Sequence, residues 1–300
     1  MRPTAATRLP GLWGDLLLLI KPGITLLVLV STALAYLLAH AGPADWRHLG
    51  AVLAFTFLLG VGASSLNQFV ERDSDGRMAR TRNRPLPAGR MRPVSVLAGG
   101  LAVSAAGIAG LGLAANWLSA AIGLTVIVTY VLFYTPLKRV TALNTLIGAF
   151  PGALPPVLGW AAARGELGRE ALALFLIQYL WQPPHVLAIA WRHRDDYAAA
   201  GMPMITVSDP SGASTRRQVV LYCAVLIPLS AYPAMIGMAG GTYFYGALAL
   251  SGAFFLCGAA MAIRPTDATA KLVFKASLFY LPALFGLMLY DASPSTLYRQ

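Results

Sequence analysis

Nine apolar stretches, each about the length of a membrane span, recur along this 300-residue chain and leave little room for any architecture but a helical membrane bundle. They lie near residues 23–40, 48–69, 94–115, 118–134, 143–162, 170–190, 218–238, 242–263 and 272–290. A hydrocarbon core of roughly 30 Å is crossed by about 20 apolar residues in a helix. The chain is 57% hydrophobic and 12% charged, against about 25% charged in a soluble domain. The expected fold is therefore all-α and polytopic. Residues 1–15 carry no cleavable signal-peptide pattern.

The charges orient the spans. With the amino terminus on the cytoplasmic side, nineteen of the twenty-three Lys and Arg fall in inner segments, and only Arg47, Arg164, Arg169 and Arg299 fall outside. Basic residues concentrate on the cytoplasmic side of membrane proteins, so the carboxyl terminus is expected on the far side. In a bacterial cell this is the inner membrane. The net charge of +11 follows from topology and not from nucleic-acid binding. Cys223 and Cys257 lie inside apolar runs and read as small core hydrophobes. The expected organisation is an arm at 1–20, one nine-helix domain at 21–292 and a tail at 293–300. Long polar inner loops at about 71–93 and 191–217 fall four spans apart, hinting at a duplicated four-helix unit with one extra helix.

The first loop carries the densest chemistry. Asn67, Glu71 and Asp75 are spaced i, i+4, i+8, which places them in one stripe on a helix. Oxygen ligands in line suit a hard cation such as Mg²⁺, completed by waters and substrate phosphates. Arg77, Arg80, Arg82 and Arg84 follow, donors matched to phosphate oxygens. The plain alternative is a loop that is basic for topology alone. It accounts for the arginines but not for acids at helical spacing on the lip of a span, where ionisable groups are costly. Asp73 points off the stripe and reads as solvated.

A second constellation lies around the sixth span. Trp181-Gln182-Pro183-Pro184-His185 sits within it, and Asp195-Asp196-Tyr197 follows it. Gln182 and His185 are either polar groups satisfying a proline-kinked backbone or cavity residues touching substrate. His185 and Asp196 would share a face if the helix continued, with Asp195 supporting. Lys138-Arg139 after the fourth span reads either as a topology anchor or as further phosphate donors at the pocket floor.

In that combination the chain resembles the UbiA-type intramembrane prenyltransferase superfamily, and in particular its haem-farnesylating branch. Asn67-x3-Glu71-x3-Asp75 is similar to the superfamily's first aspartate-rich motif. Arg80-Thr-Arg-Asn-Arg84-Pro-Leu-Pro, Tyr134-Thr-x-x-Lys138-Arg139 and Asn144-Thr-x-Ile-Gly148 resemble the haem branch. So do Pro155-Pro156-x-x-Gly159-Trp160, Trp181-Gln-x-Pro184-His185 and Asp195-Asp196-Tyr197-x-x-Ala200-Gly201-x-Pro203-Met204. The likeness runs from Lys21-Pro22 to the last span. It departs in having Glu71 where Asp is frequent, and Arg192 where a second acid would precede Asp196.

The resemblance implies Mg²⁺-assisted ionisation of farnesyl diphosphate, transfer of the farnesyl group to a vinyl group of haem B, and addition of water to give haem O. It implies catalytic roles for Asn67, Glu71, Asp75 and Asp196, and a metal set of those four with Asp195. Diphosphate would fall to Arg80, Arg84, Lys138 and Arg139, and haem, on chemical grounds, to His185, Gln182 and Trp181. The site would open near the cytoplasmic face. Expected partners are the two substrates, the bilayer, and haem A synthase or oxidase assembly proteins; nucleic acid is not among them. The competing readings are a related prenyltransferase with an aromatic acceptor, a secondary transporter and a non-catalytic assembly protein. The acids cluster at the lip and not deep in the spans, which disfavours transport.

Overall fold

The computed structural model describes residues 11–40 and 43–292. Residues 1–10 of the expected arm and the whole expected tail lie outside the described residues. The helices in chain order are α1 (Leu12–Ile20), α2 (Pro22–Ala39), α3 (Trp46–Asp75), α4 (Pro93–Ala114) and α5 (Trp117–Ile127). A π-helical turn (Val128–Tyr134) follows, then α6 (Thr135–Leu137), α7 (Asn144–Gly152), α8 (Leu154–Arg164) and α9 (Arg169–Arg192). The last are α10 (Arg194–Ala199), α11 (Ile205–Ser208), α12 (Ala213–Met235), α13 (Gly241–Ile263) and α14 (Asp267–Tyr290). Among the described residues, nine segments are long and apolar enough to cross a membrane, as the hydropathy predicts. Residues 12–20, expected to be part of an arm, instead form a helix that leaves Leu12, Trp13 and Leu17 exposed.

Local chemistry sets the ends. Asp45 caps α3 by accepting from the backbone N–H of Arg47 and His48, and Asn116 caps α5 through Ser119. Pro22 and Pro93 occupy first-turn positions, where a missing N–H costs nothing. Gly165, at φ 72°, closes α8 in the left-handed conformation.

Neighbouring helices close a ring: α2 packs on α3, α3 on α4, α4 on α5, α5 on α8, α8 on α9, α9 on α12, α12 on α13, α13 on α14, and α14 returns to α2. One apolar cluster gathers Tyr36, Leu59, Leu111, Ile122 and Leu158. A larger one gathers Ile177, Leu226, Phe254, Tyr280 and Phe285. The seam between them is α2 on α8. There Gly159 sits so close that a Cβ would lie 2.1 Å from the Thr32 carbonyl oxygen. Small residues admit this approach where lipid supplies no hydrophobic drive between helices.

Two irregular segments shape the interior. The fifth span breaks at Ala153, between Pro151 and the Pro155-Pro156 pair, since proline removes helical donors. The Gly152 carbonyl, whose helical donor would be Pro156, accepts instead from Gln178 Nε2 at 2.8 Å, and the Ala149 carbonyl, bonded to the Ala153 N–H, accepts also from Gln182 Nε2 at 2.9 Å. The fourth span widens into π-helix ahead of Pro136. The Thr135 hydroxyl donates to the Tyr130 carbonyl at 2.7 Å within that wide turn. Such bulges are frequent at functional sites, and this one turns Tyr130 and Tyr134 toward the bundle interior.

Candidate active site

The end of α3 carries the acidic stripe inward. Asn67, Glu71 and Asp75 are all buried, whereas the Asp73 side chain is 69% exposed and pairs only with Arg72. The spacing thus predicts the correct face. Each stripe residue is held by a basic side chain from a different part of the chain. Lys21 Nζ donates to Asn67 Oδ1 at 2.8 Å, Lys138 Nζ to Glu71 Oε1 at 3.1 Å, and Arg84 Nη1 to Asp75 Oδ2 at 2.6 Å. Asn67 also donates from Nδ2 to the Thr135 hydroxyl at 3.1 Å, which ties the stripe to the π-helical turn. Asp75 Oδ1 is buried and has no partner.

The two lysines differ electrostatically because their partners differ. Burial alone would lower the Lys138 ammonium, but Tyr134, Glu71 and Tyr197 outweigh it and hold its pKa above the ordinary value. Lys21 touches only a neutral amide. Burial, with repulsion from Arg84 and Lys138, lowers its pKa to about 8 against the pull of Glu71 and Asp75.

The basic loop folds back as a structured cover over the end of α3. Met78, Thr81 and Leu86 are buried, and the Thr81 hydroxyl donates to the Asp75 carbonyl at 2.9 Å. Arg90 grips Asp15 of α1 at 2.7 Å and thereby moors the cover to the first helix. The second polar segment docks onto it: Tyr197, Ala200, Met202 and Met204 cluster with Met78. Asp196 accepts from the backbone N–H of Ala79 at 3.1 Å and lies 3.6 Å from His193 Nδ1. Arg80 reaches the Tyr197 hydroxyl at 3.4 Å.

A cavity of about 250 Å³ opens beside the stripe. Lys21, Tyr134 and Thr145 stand at the end nearest the stripe, and Val28, Leu59, Val126 and Leu158 form its apolar depth. The wall residues on α3 run from Ser64 to Thr56, eight residues and so roughly 12 Å along the helix. Tyr130 and Tyr134 stack with ring centroids 5.6 Å apart on one side. A cation at one end of an otherwise apolar cavity suits a ligand that is anionic at one end and hydrocarbon along its length.

Several expectations need correction. The helix does not continue from His185 to Asp196. It ends at Arg192, and a new one starts at Arg194. Asp195 is exposed, and among the described residues no three His, Cys, Asp or Glu side chains gather as a metal cluster. The five-residue metal set is therefore not assembled: Asp196 is engaged by Ala79 and His193 instead. Arg139 donates from Nη2 to the Val70 carbonyl at 2.7 Å and the Ser74 hydroxyl at 3.2 Å, clamping the end of α6 to α3. Trp181 is buried with Nε1 donating to the Ser277 carbonyl at 2.8 Å, and His185 stacks on Trp181 beside α14. Neither lines the cavity; Gln182 does, while satisfying the Ala149 carbonyl.

What remains fits one divalent ion held jointly with a ligand. Glu71 and Asp75 supply two carboxylates, and Asp75 Oδ1 is an oxygen without a partner. Mg²⁺ is characteristically bound by one or two carboxylates plus phosphate oxygens and water. Lys21, Tyr130, Tyr134 and Ser277 were not among the expected site residues. For Lys21 the signal was present, a lysine directly before proline at the lip of the first span.

The model of the UbiA prenyltransferase family matches residues 28–283. A protein of Solibacter usitatus named protoheme IX farnesyltransferase is 44% identical over 287 residues, covering 92% of this chain and 98% of the relative. One of the same name from Myxococcus xanthus is 41% identical, covering 96% and 98%. A solved structure of a UbiA homolog from Aeropyrum pernix K1 superposes with a TM-score of 0.71 at 19% identity, covering 90% of this chain and 98% of that one. Another, from Archaeoglobus fulgidus and bound to GPP and Mg²⁺, gives 0.65 at 14% identity, covering 92% and 99%.

Proposed function

This chain belongs to the UbiA prenyltransferase family, a multi-pass membrane prenyltransferase, and from that premise we propose that it transfers the farnesyl group of farnesyl diphosphate to a vinyl group of haem B, giving haem O and diphosphate. The observation that carries the reading is the cavity, with apolar walls from Val28 to Leu158 and, at one end, Lys21, which is bonded to Asn67 of the paired stripe. The acceptor is inferred from relatives named protoheme IX farnesyltransferase that match over nearly their whole length.

Arg84 and Lys138 bind diphosphate oxygens, with Arg80 closing over them from the loop. Glu71 and Asp75 hold Mg²⁺, which supplies Lewis-acid neutralisation of the charge that builds on the leaving group. Donors aimed at that charge lower the barrier to ionisation. The prenyl chain lies in the barrel, where Tyr130 and Tyr134 face the allylic cation; aromatic faces attract cations. The apolar walls keep water away until the vinyl carbon attacks. Water then adds to the resulting cation at the vinyl position.

His185 is the haem contact we favour. The Ser277 hydroxyl has one proton and donates it to the Phe274 carbonyl at 2.7 Å. It must therefore accept from His185 Nδ1, 2.7 Å away. That assignment leaves the Nε2 lone pair available to haem iron. The site end faces the cytoplasm of a bacterial inner membrane, on the charge asymmetry of the loops.

The test is a product assay. Detergent-purified protein receives haem B, farnesyl diphosphate and Mg²⁺, and extracted haems are analysed by mass spectrometry beside Asp75→Asn. A haem gaining one farnesyl and one water, absent with Asp75→Asn, is expected. Prenylation of an added aromatic acid in place of haem, or no consumption of the diphosphate by folded protein, refutes the proposal.

A further inference from the structure

We propose that Lys21 is a substrate-contacting residue, a further cation for the prenyl diphosphate beside Arg84, Lys138 and Arg80, and that metal and diphosphate enter this site cooperatively by exchanging partners with the cations that hold the stripe. The inference rests on the diphosphate chemistry proposed above.

Three observations carry it. Lys21 is the one non-glycine residue with positive φ among the described residues, at 51°. That left-handed position at the α1–α2 junction favours Gly or Asn. Strain kept by a bulky residue at a cavity mouth is a mark of function. The junction is also moored, by Arg90 on Asp15 and by Gln68 donating to the carbonyls of Leu18 and Leu19 at 3.0 and 3.1 Å. Lys21 is thus delivered to the mouth and does not merely hang there. Finally, its only side-chain partner is the neutral amide of Asn67, whereas Lys138 and Arg84 each hold a carboxylate.

Charge counting then favours joint entry of the two ligands. At the stripe itself, Lys21, Lys138 and Arg84 against Glu71 and Asp75 leave one positive charge in excess. A divalent metal alone raises that excess to three, and must also displace Lys138 and Arg84 from Glu71 and Asp75. A fully ionised prenyl diphosphate alone turns the excess into a deficit of two. Metal and diphosphate together bring it to zero. The cations released from the carboxylates are the ones the diphosphate needs, so each ligand prepares the site for the other.

The experiment is isothermal titration calorimetry on the full-length protein in detergent, using Mg²⁺ and inorganic diphosphate as probes, with the solution Mg–diphosphate equilibrium subtracted. In the wild type, diphosphate is expected to bind about tenfold or more tighter with Mg²⁺ present, and Mg²⁺ tighter with diphosphate by the same factor, as linkage requires. Lys21→Met should weaken diphosphate by about 10- to 100-fold, the range for a lost hydrogen bond to a charged group. The same variant should bind Mg²⁺ alone as well as or better than the wild type, because a repelling charge has gone. Lys21→Arg should keep diphosphate affinity within a few fold. A purely structural role would lower both affinities in parallel in Lys21→Met. That result, or unchanged diphosphate affinity, overturns the inference while leaving haem farnesylation standing if the wild type still makes product. Wild-type protein that binds no diphosphate with Mg²⁺ present overturns both.

Discussion

Removing Arg84 tests whether the stripe depends on its basic partners. The Arg84–Asp75 pair is 2.6 Å long, with side-chain exposures of 19% and 1%. Asp75 Oδ1 already lacks a partner, so Arg84→Met leaves a buried carboxylate with no direct counter-charge. Breaking a buried pair from one side costs about 3–5 kcal/mol; the partial exposure of Arg84 lowers this to about 2–4 kcal/mol. Asp75→Asn is milder, about 1–2 kcal/mol, since Arg84 can turn toward water. In the double variant neither charge remains, and the two losses should fall short of additive by about 1.5–3 kcal/mol. The assay is reversible unfolding in mixed micelles followed by fluorescence of the six tryptophans. Millimolar Mg²⁺ should restabilise Arg84→Met more than the wild type, because the freed carboxylate is then a metal ligand. Arg84→Met within about 0.5 kcal/mol of wild type, or strict additivity in the double variant, would refute the reasoning.

Three further outcomes follow from the same contacts. Gly159→Ala would set a Cβ 2.1 Å from the Thr32 carbonyl oxygen, prising α2 from α8 at a cost of about 1–3 kcal/mol. Both helices wall the cavity, so its melting temperature and its KM for farnesyl diphosphate should worsen together. Ser277→Ala removes the acceptor that orients His185; thermal unfolding should show a loss of about 1 kcal/mol, with a changed haem absorption spectrum if His185 meets iron. Chelation with EDTA should abolish prenyl transfer and added Mg²⁺ should restore it, and undiminished turnover in EDTA would count against the metal role of Glu71 and Asp75.

The spans were legible because hydropathy and helix length are local, and the phase of the stripe was legible because helical spacing separates Asp75 from Asp73. The break at His193 was not. Arg192-His193-Arg194 contains no helix breaker, and the chain turns where Tyr197 enters the Met78 cluster, a long-range packing event. Nor did Gln182 alone reveal which carbonyl its amide meets, that of Ala149, 33 residues away in another helix. Nor did Arg139 show in sequence that one of its nitrogens would be tied to the Val70 carbonyl. In each case residue type indicated a capacity for hydrogen bonding, and tertiary contacts decided where it went.

The paired stripe has a physical cause that spacing could not display. Glu71 and Asp75 are buried at the end of a membrane-length helix, where unpaired carboxylates are prohibitively costly. Counter-charge comes from the chain itself. The bases proposed to receive a diphosphate are the bases paired with those acids, so Lys138 and Arg84 serve as internal counterions. Strengthening these pairs would stabilise the empty protein but raise the cost of admitting metal and diphosphate. A site that must fill and empty in each turnover therefore benefits from an incomplete match: a free oxygen on Asp75 for the metal, and in Lys21 a cation satisfied only by an amide.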